Sequence, residues 1–168
     1  MIAIMHELSA IRVVPVTSEL HPALLQLCVT TPQRDFVGDI ATSLADSAGC
    51  TSSTPMAILR GDTPVGYYRI EANAGSVCGR DFDRPAIGLR SFFIDHRWQR
   101  RGLASQALTA LVAELSLRHP TARLLILLVN CRNLPALRLY LRAHFVDTGE
   151  LYHGGRAGPQ HLLWRALP

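Results

Sequence analysis

Apolar positions recur along this chain with two different periods, and the changes of period mark its elements. Residues 10–16 are mostly apolar and β-branched, which predicts a strand. Residues 19–29 place Leu20, Leu24, Leu25 and Leu27 on one broad face, which predicts a helix. Pro32 breaks the pattern over 30–33, and a second helix is predicted over 35–46, where Phe36, Val37, Ile40, Leu44 and Ala45 return at helical spacing. Residues 48–54 are small and polar and read as a loop. The apolar runs 56–60 and 65–70 flank Gly61-Asp62-Thr63-Pro64, and this turn chemistry predicts a β-hairpin. Residues 73–85, rich in Gly, Asp and Arg, read as a surface loop, and 87–94 as another strand. Residues 102–118 are amphipathic at helical spacing until Pro120 forces a stop. Residues 124–129 are apolar throughout, as in a strand buried on both faces. A short helix over 135–143 carries Pro135 near its first turn, and 145–152 with 160–167 read as a final pair of strands around the loop 153–159. The predicted order is β-α-α-β-β-β-α-β-α-β-β. It describes one α/β domain over residues 1–168, with a mixed, mainly antiparallel sheet flanked by helices.

Composition narrows the function classes. With 168 residues the chain suits one domain, and 48% hydrophobic against 18% charged residues excludes a disordered segment. No apolar run approaches the roughly 18 residues of a membrane span, and residues 1–9 lack the basic start and apolar stretch of a signal peptide, so a cytoplasmic protein is expected. Cys28, Cys50, Cys78 and Cys131 are scattered and form no CxxC pair, which favours reduced thiols over zinc or disulfides; no metal is expected. The net charge is +4, and all 17 basic residues are arginine. Guanidinium forks bind phosphate bidentately and keep their charge, which suits a polyanionic cofactor. The arginines are dispersed rather than clustered with aromatics, which argues against nucleic acid.

The sharpest chemical signal is Gln99-Arg100-Arg101-Gly102-Leu103-Ala104, between a predicted strand and a predicted helix. Free N–H groups at a helix start, a glycine and flanking arginines make a site for a pyrophosphate. The dinucleotide pattern G-x-G-x-x-G and the P-loop are both absent. A second segment runs from Val129 through Asn133, Ala136 and Leu139-Tyr140 to His144-Phe145. These two segments resemble the signatures Q/R-x-x-G-x-G/A and N-x-x-A-x-x-L-Y, followed by Gly-Phe, of the GCN5-related N-acetyltransferases (GNAT). The element order matches that family over nearly the whole chain. His144 stands where the family has glycine, and histidine is less favourable at a left-handed helix end. Gln33-x-x-Phe36-Val37, Ser43-Leu44-Ala45, Pro64-Val65-Gly66-Tyr67, Ile94-Asp95 and Asp147-Thr148-Gly149-Glu150 follow in order and resemble the bacterial subgroup related to spermine/spermidine acetyltransferases.

The resemblance implies an acetyl-CoA-dependent N-acetyltransferase that moves an acetyl group to a primary amine by direct attack in a ternary complex. It implies that the backbone of Phe92, Phe93 and Ile94 pairs with the amide-bearing pantetheine arm, as in strand augmentation, and polarises the thioester carbonyl. Gln99, Arg100, Arg101, Gly102, Leu103 and Ala104 would hold the diphosphate, and Asn133 would contact the cofactor. Tyr140 would lie near the sulfur and protonate the departing thiolate, for which a phenol of pKa about 10 is suited. Glu71, at the end of the third strand, is the expected base, with Asp95 and His96 as alternatives. A polyamine acceptor calls for carboxylates, with Asp35 and Glu150 foremost and Asp39, Asp81 and Asp83 behind them. However, His153-Gly154-Gly155-Arg156 stands where the subgroup often adds a glutamate, and Arg156 repels a polycation. A polyamine, another small amine, an amino acid, an antibiotic amine and a peptide N-terminus all stay open. A homodimer follows only by analogy with the family. A non-catalytic acyl-CoA-binding or sensing domain on the same fold is the competing reading, because fold does not fix function.

Overall fold

The structure is a computed structural model that describes residues 10–168; the reading of residues 1–9 lies outside the described residues. Its strands are β1 (Ile11–Pro15), β2 (Ser53–Arg60), β3 (Thr63–Glu71), β4 (Ala86–Ile94), β5 (Leu124–Asn130), β6 (Val146–Tyr152) and β7 (Gln160–Ala166). They form one sheet in the order β1-β2-β3-β4-β5-β7-β6. Neighbours are antiparallel except β4 and β5, which run parallel because a helical crossover joins them. This is the mixed, mainly antiparallel sheet that the hydrophobic pattern predicts.

The helices are α1 (His21–Leu24), α2 (Arg34–Val37), α3 (Ile40–Ala48), α4 (Gly75–Cys78), α5 (Leu103–Arg118) and α6 (Leu134–Arg142). Two predicted helices are corrected. The one expected over 19–29 is a 3-10 turn (Ser18–Leu20) followed by the single turn α1. Beyond Leu24 the chain is drawn to the end of β4: the Cys28 N–H donates to Asp95 Oδ2 (2.9 Å) and the His96 N–H to the Cys28 carbonyl (2.9 Å). The one expected over 35–46 is split by Gly38 at φ 72°, after which Asp39 caps α3 by accepting the Thr42 N–H at 2.9 Å. The break at 30–33 is a 3-10 turn closed by a capping box between Thr30 and Gln33. The loop 73–85 holds the short α4.

Helix α5 buries Leu103, Ala107, Leu108, Leu111, Val112 and Leu115 against the apolar residues of β2–β5. On the opposite face, Leu24, Leu27, Ile40 and Leu44 cover Ala57, Leu59 and Tyr67. A third cluster sets Ala74 and Cys78 on Leu124, Ile126 and Leu162. No helix among the described residues is long and apolar enough to cross a membrane.

One irregularity positions everything that follows. The β4–β5 pairing runs from Ala86/Leu124 to Leu89/Leu127 and then stops. Immediately afterwards Ser91 adopts φ 54°, and the β3–β4 register shifts between Tyr67 and Arg69. The extra residue in β4 is a bulge, which bends the strand away from its neighbour. The later residues of β4 and β5 splay apart and open a cleft in the middle of the sheet.

Candidate active site

Two cavities occupy this cleft. The larger, of about 620 Å³, lies between the end of β4, the loop before α5 and the start of α6. Its walls include the expected cofactor residues Phe92, Phe93, Ile94, Gln99, Arg100, Ala104, Asn133 and Tyr140. Gly102, Leu103 and Arg101 sit just beyond these walls. Gly102 is the N-cap of α5 at φ 72°, Leu103 is buried in the core, and the Arg101 guanidinium lies over the Trp98 ring at 5.1 Å.

The start of α5 is open to an anion. No side chain caps it, and the first N–H to find a helical carbonyl is that of Gln106, on Gly102 at 3.3 Å. The preceding first-turn donors are left to an outside partner, at the positive end of a 16-residue helix. A Cβ at position 102 would meet nothing closer than Gln106 Nε2 at 4.0 Å, so the space above this turn is clear. The donors, the space and Arg100 fit a diphosphate. Gln99 acts as a brace: its side-chain amide donates to the Ile94 carbonyl (2.9 Å) and exchanges hydrogen bonds with Gln33 (3.0 and 3.1 Å).

The smaller cavity, of about 320 Å³, lies farther up the splayed strands, with Arg90 and Ser91 of β4, Asn130 of β5 and Gln160 of β7 in its walls. Phe92, Asn133, Ala136 and Tyr140, together with Phe36 and Val37 of α2, line both cavities. Tyr140 therefore stands at their junction. It is only 7% exposed, with its ring edge-on to Phe92 (centroids 6.2 Å) and Phe145 (5.4 Å). Burial pushes its phenol pKa above the ordinary value, with no hydrogen bond opposing the shift. Asn133 caps α6 by accepting the Ala136 N–H at 3.4 Å.

Other expected residues are not brought to the junction. Glu71 is 4% exposed and lines neither cavity. Its Oε1 accepts from Arg69 (2.9 Å) and Ser53 (3.0 Å), so this carboxylate, expected as the base, serves the sheet. Asp95 is fully buried, which by itself would raise its pKa. Hydrogen bonds from the Arg97 side chain and from the Cys28 and Arg97 backbone outweigh burial and hold it below the ordinary carboxylate range. Cys28, Asp95 and His96 bring metal-type ligand atoms within 4.8 Å of one another, but the Asp95 oxygens are already taken by these donors. His96 itself borders the larger cavity. Asp35 is exposed and Glu150 pairs with Arg80 at 3.2 Å; neither lines a cavity in the cleft. Asp39 caps α3, and Asp81 and Asp83 border a separate pocket in the 73–86 loop.

Sequence reasoning missed Arg90, Ser91 and Gln160. A charge inside the apolar run Ile87-Gly88-Leu89-Arg90 was a signal for the first. Nothing in the residue types announces the backbone turn at Ser91.

Comparison with known proteins agrees with this geometry. The family model described as "Acetyltransferase (GNAT) family" matches residues 23–145. The uncharacterized N-acetyltransferase YbbJ of Bacillus subtilis is 27% identical over 87% of this chain and 91% of its own length. The spermine/spermidine N(1)-acetyltransferase of the same organism is 29% identical over 87% and 94%. Among solved structures, the aminoglycoside acetyltransferase AAC(6')-Ib in complex with coenzyme A and kanamycin superposes with a TM-score of 0.73 at 19% identity, covering 94% of this chain and 95% of that one. At that identity the likeness speaks for the fold. The splayed sheet, the uncapped helix behind Gly102 and a family match over most of the chain meet in one conclusion: the chain belongs to the acetyltransferase (GNAT) family.

Proposed function

We propose that the chain transfers the acetyl group of acetyl-CoA to a primary amine of a small acceptor, by direct attack within a ternary complex. The observation that carries this reading is the meeting of two cavities at Tyr140, one running to the start of α5 and the other toward Arg90. A relative named for spermine and spermidine and a fold neighbour bound to kanamycin support an amine as the acceptor class.

Acetyl-CoA supplies the acyl group as a thioester. The N–H groups at the start of α5 and the Arg100 guanidinium would hold its diphosphate, with Arg101 adding charge from its seat on Trp98. The β4 backbone at Phe92 and Phe93, past the end of the β4–β5 pairing, would take the pantetheine amides. Gln99 keeps Ile94 in place beside them. The acceptor nitrogen forms a bond to the acyl carbon while the carbon–sulfur bond breaks. The nitrogen gives up a proton to solvent and the sulfur takes one from Tyr140, which regains its own from solvent. Because the raised pKa keeps Tyr140 protonated, the donor is loaded at neutral pH.

Tyr140→Phe tests this role. With acetyl-CoA saturating, kcat is expected to fall about 100-fold or more while CoA affinity by calorimetry stays within about twofold. An unchanged kcat would remove Tyr140 from the chemistry.

A further inference from the structure

We infer that the acceptor amine also carries a carboxylate, placing it in the amino-acid class, and that Arg90 reads this carboxylate. The inference rests on the acyl-transfer reading above and names its acceptor. Arg90 lines the smaller cavity two residues before Phe92, which borders the Tyr140 junction. Its guanidinium is only partly used. Nη2 donates to the Ser76 carbonyl, and Nε is buried without any hydrogen-bond partner. The carboxylate facing it, Glu71 Oε1, is 3.9 Å away and already accepts from Arg69 and Ser53 at 2.9 and 3.0 Å. Asp46 also approaches Arg69, at 3.9 Å, but its side chain is 64% exposed and screened by solvent. Nε itself is closed to the cavity, but the Arg90 side chain is 39% exposed and its Nη1 makes no hydrogen bond among the described residues, so a ligand carboxylate in the cavity would pair with that accessible side of the guanidinium.

The rest of the cavity agrees. Among the described residues no Asp or Glu lines it. A polyamine or aminoglycoside entering here would bring positive charge against Arg90 with no carboxylate in the cavity wall to receive it. At the mouth, the Arg132 guanidinium lies 5.8 Å from the centroid of Phe36, a residue common to both cavities, and adds a second positive charge. Arg90 and Phe92 are two residue steps apart on the strand, about 7 Å of rise at most, which matches an amine at the junction with its carboxylate a few bonds away. A volume of about 320 Å³ suits a small acceptor.

The test compares amino acids with their carboxamides, alongside spermidine, as acceptors for the intact protein with acetyl-CoA. The acids are expected to exceed the carboxamides about 30-fold in kcat/KM, the strength of one charge-assisted pair. Arg90→Gln should bring that ratio within about threefold by raising KM for the acids, and Arg90→Lys should restore part of it, while CoA affinity is unchanged in both. Thiol release with no preference for the acids, or with spermidine preferred, would overturn the carboxylate assignment and leave acyl transfer standing. Failure of CoA to bind would overturn both. If CoA binds and no amine turns over, calorimetric titration of the CoA-saturated protein decides: acids binding no tighter than carboxamides overturn the assignment, and tighter binding that Arg90→Gln abolishes supports it.

Discussion

Burial gives Tyr140 both its position and its protonated state. Packed between Phe92 and Phe145, the phenol has its ionised form disfavoured, so its pKa lies above the ordinary value of about 10. It therefore keeps its proton throughout the range in which an acceptor amine loses one. With acetyl-CoA saturating, kcat should rise as the amine deprotonates and show no fall below about pH 10; a fall near pH 8 would assign the acid to another group. His144 tells a different story at the same scale. It adopts φ 64° at the end of α6, where the Phe145 N–H closes the turn on the Tyr140 carbonyl at 3.0 Å. This conformation is strained for any side chain and free for glycine. The strain was legible in the sequence, because histidine stands where the family signature has glycine. His144→Gly should raise stability by about 1 kcal/mol, read as a Tm increase of roughly 2–4 °C for a chain of this size. A decrease would mean that the imidazole makes a contact worth more than the strain. Ser91, with φ 54° in the middle of β4, carried no such signal.

Element boundaries were less legible than element types, and the errors share one cause. The helices expected over 19–29 and 35–46 had the right periodicity, but periodicity does not record tertiary pull. Asp95, at the end of β4, draws the chain after α1 out of helical form through the Cys28 N–H, and Gly38 with Asp39 restarts the helix that Phe36 and Val37 begin. Asp95 is thus the latch between α1 and the β4 end of the cofactor cavity. Asp95→Asn should cost about 2 kcal/mol, because it removes a charge that satisfies several donors. The acid dependence has a definite sign. Since the native carboxyl is held below its unfolded value, its stabilisation is full above about pH 4 and is lost as pH falls through the lowered native value. Urea titrations at pH 7 and pH 3 should show the wild type losing part of this increment and the variant having none to lose. The start of α5 was read correctly from sequence, since a glycine between arginines at a strand–helix junction is local information. Gly102→Asp isolates its role. Aspartate is less strained at positive φ than most side chains and suits a helix N-terminus, so Tm should fall by only a few degrees, yet it sets a negative charge where the diphosphate would sit. CoA affinity is expected to drop tenfold or more by calorimetry; unchanged affinity would move the diphosphate elsewhere.

At the scale of the whole molecule, one strand organises the function. β4 pairs with β5 long enough to close the core, then bulges at Ser91 and leaves it, so that a sheet otherwise continuous from β1 to β6 carries a cleft at its centre. The chain order and the sheet class were legible because each element announces its period. The cleft was not, because it depends on where pairing stops rather than on which residues form strands. The acidic residues expected around the acceptor were the weakest part of the sequence reading: Asp35 and Glu150 are exposed acids that lie outside the cleft, and the charged residue that lines the smaller cavity is Arg90. Acyl transfer between the two cavities is tested most directly by mixing the protein with acetyl-CoA and a panel of amines and counting both products. Free thiol and N-acetylated amine are expected in a one-to-one ratio, with initial rates that saturate in both substrates and give intersecting lines. Thermal stabilisation by CoA with neither product formed from any amine would contradict acyl transfer and leave an acyl-CoA-binding domain without it.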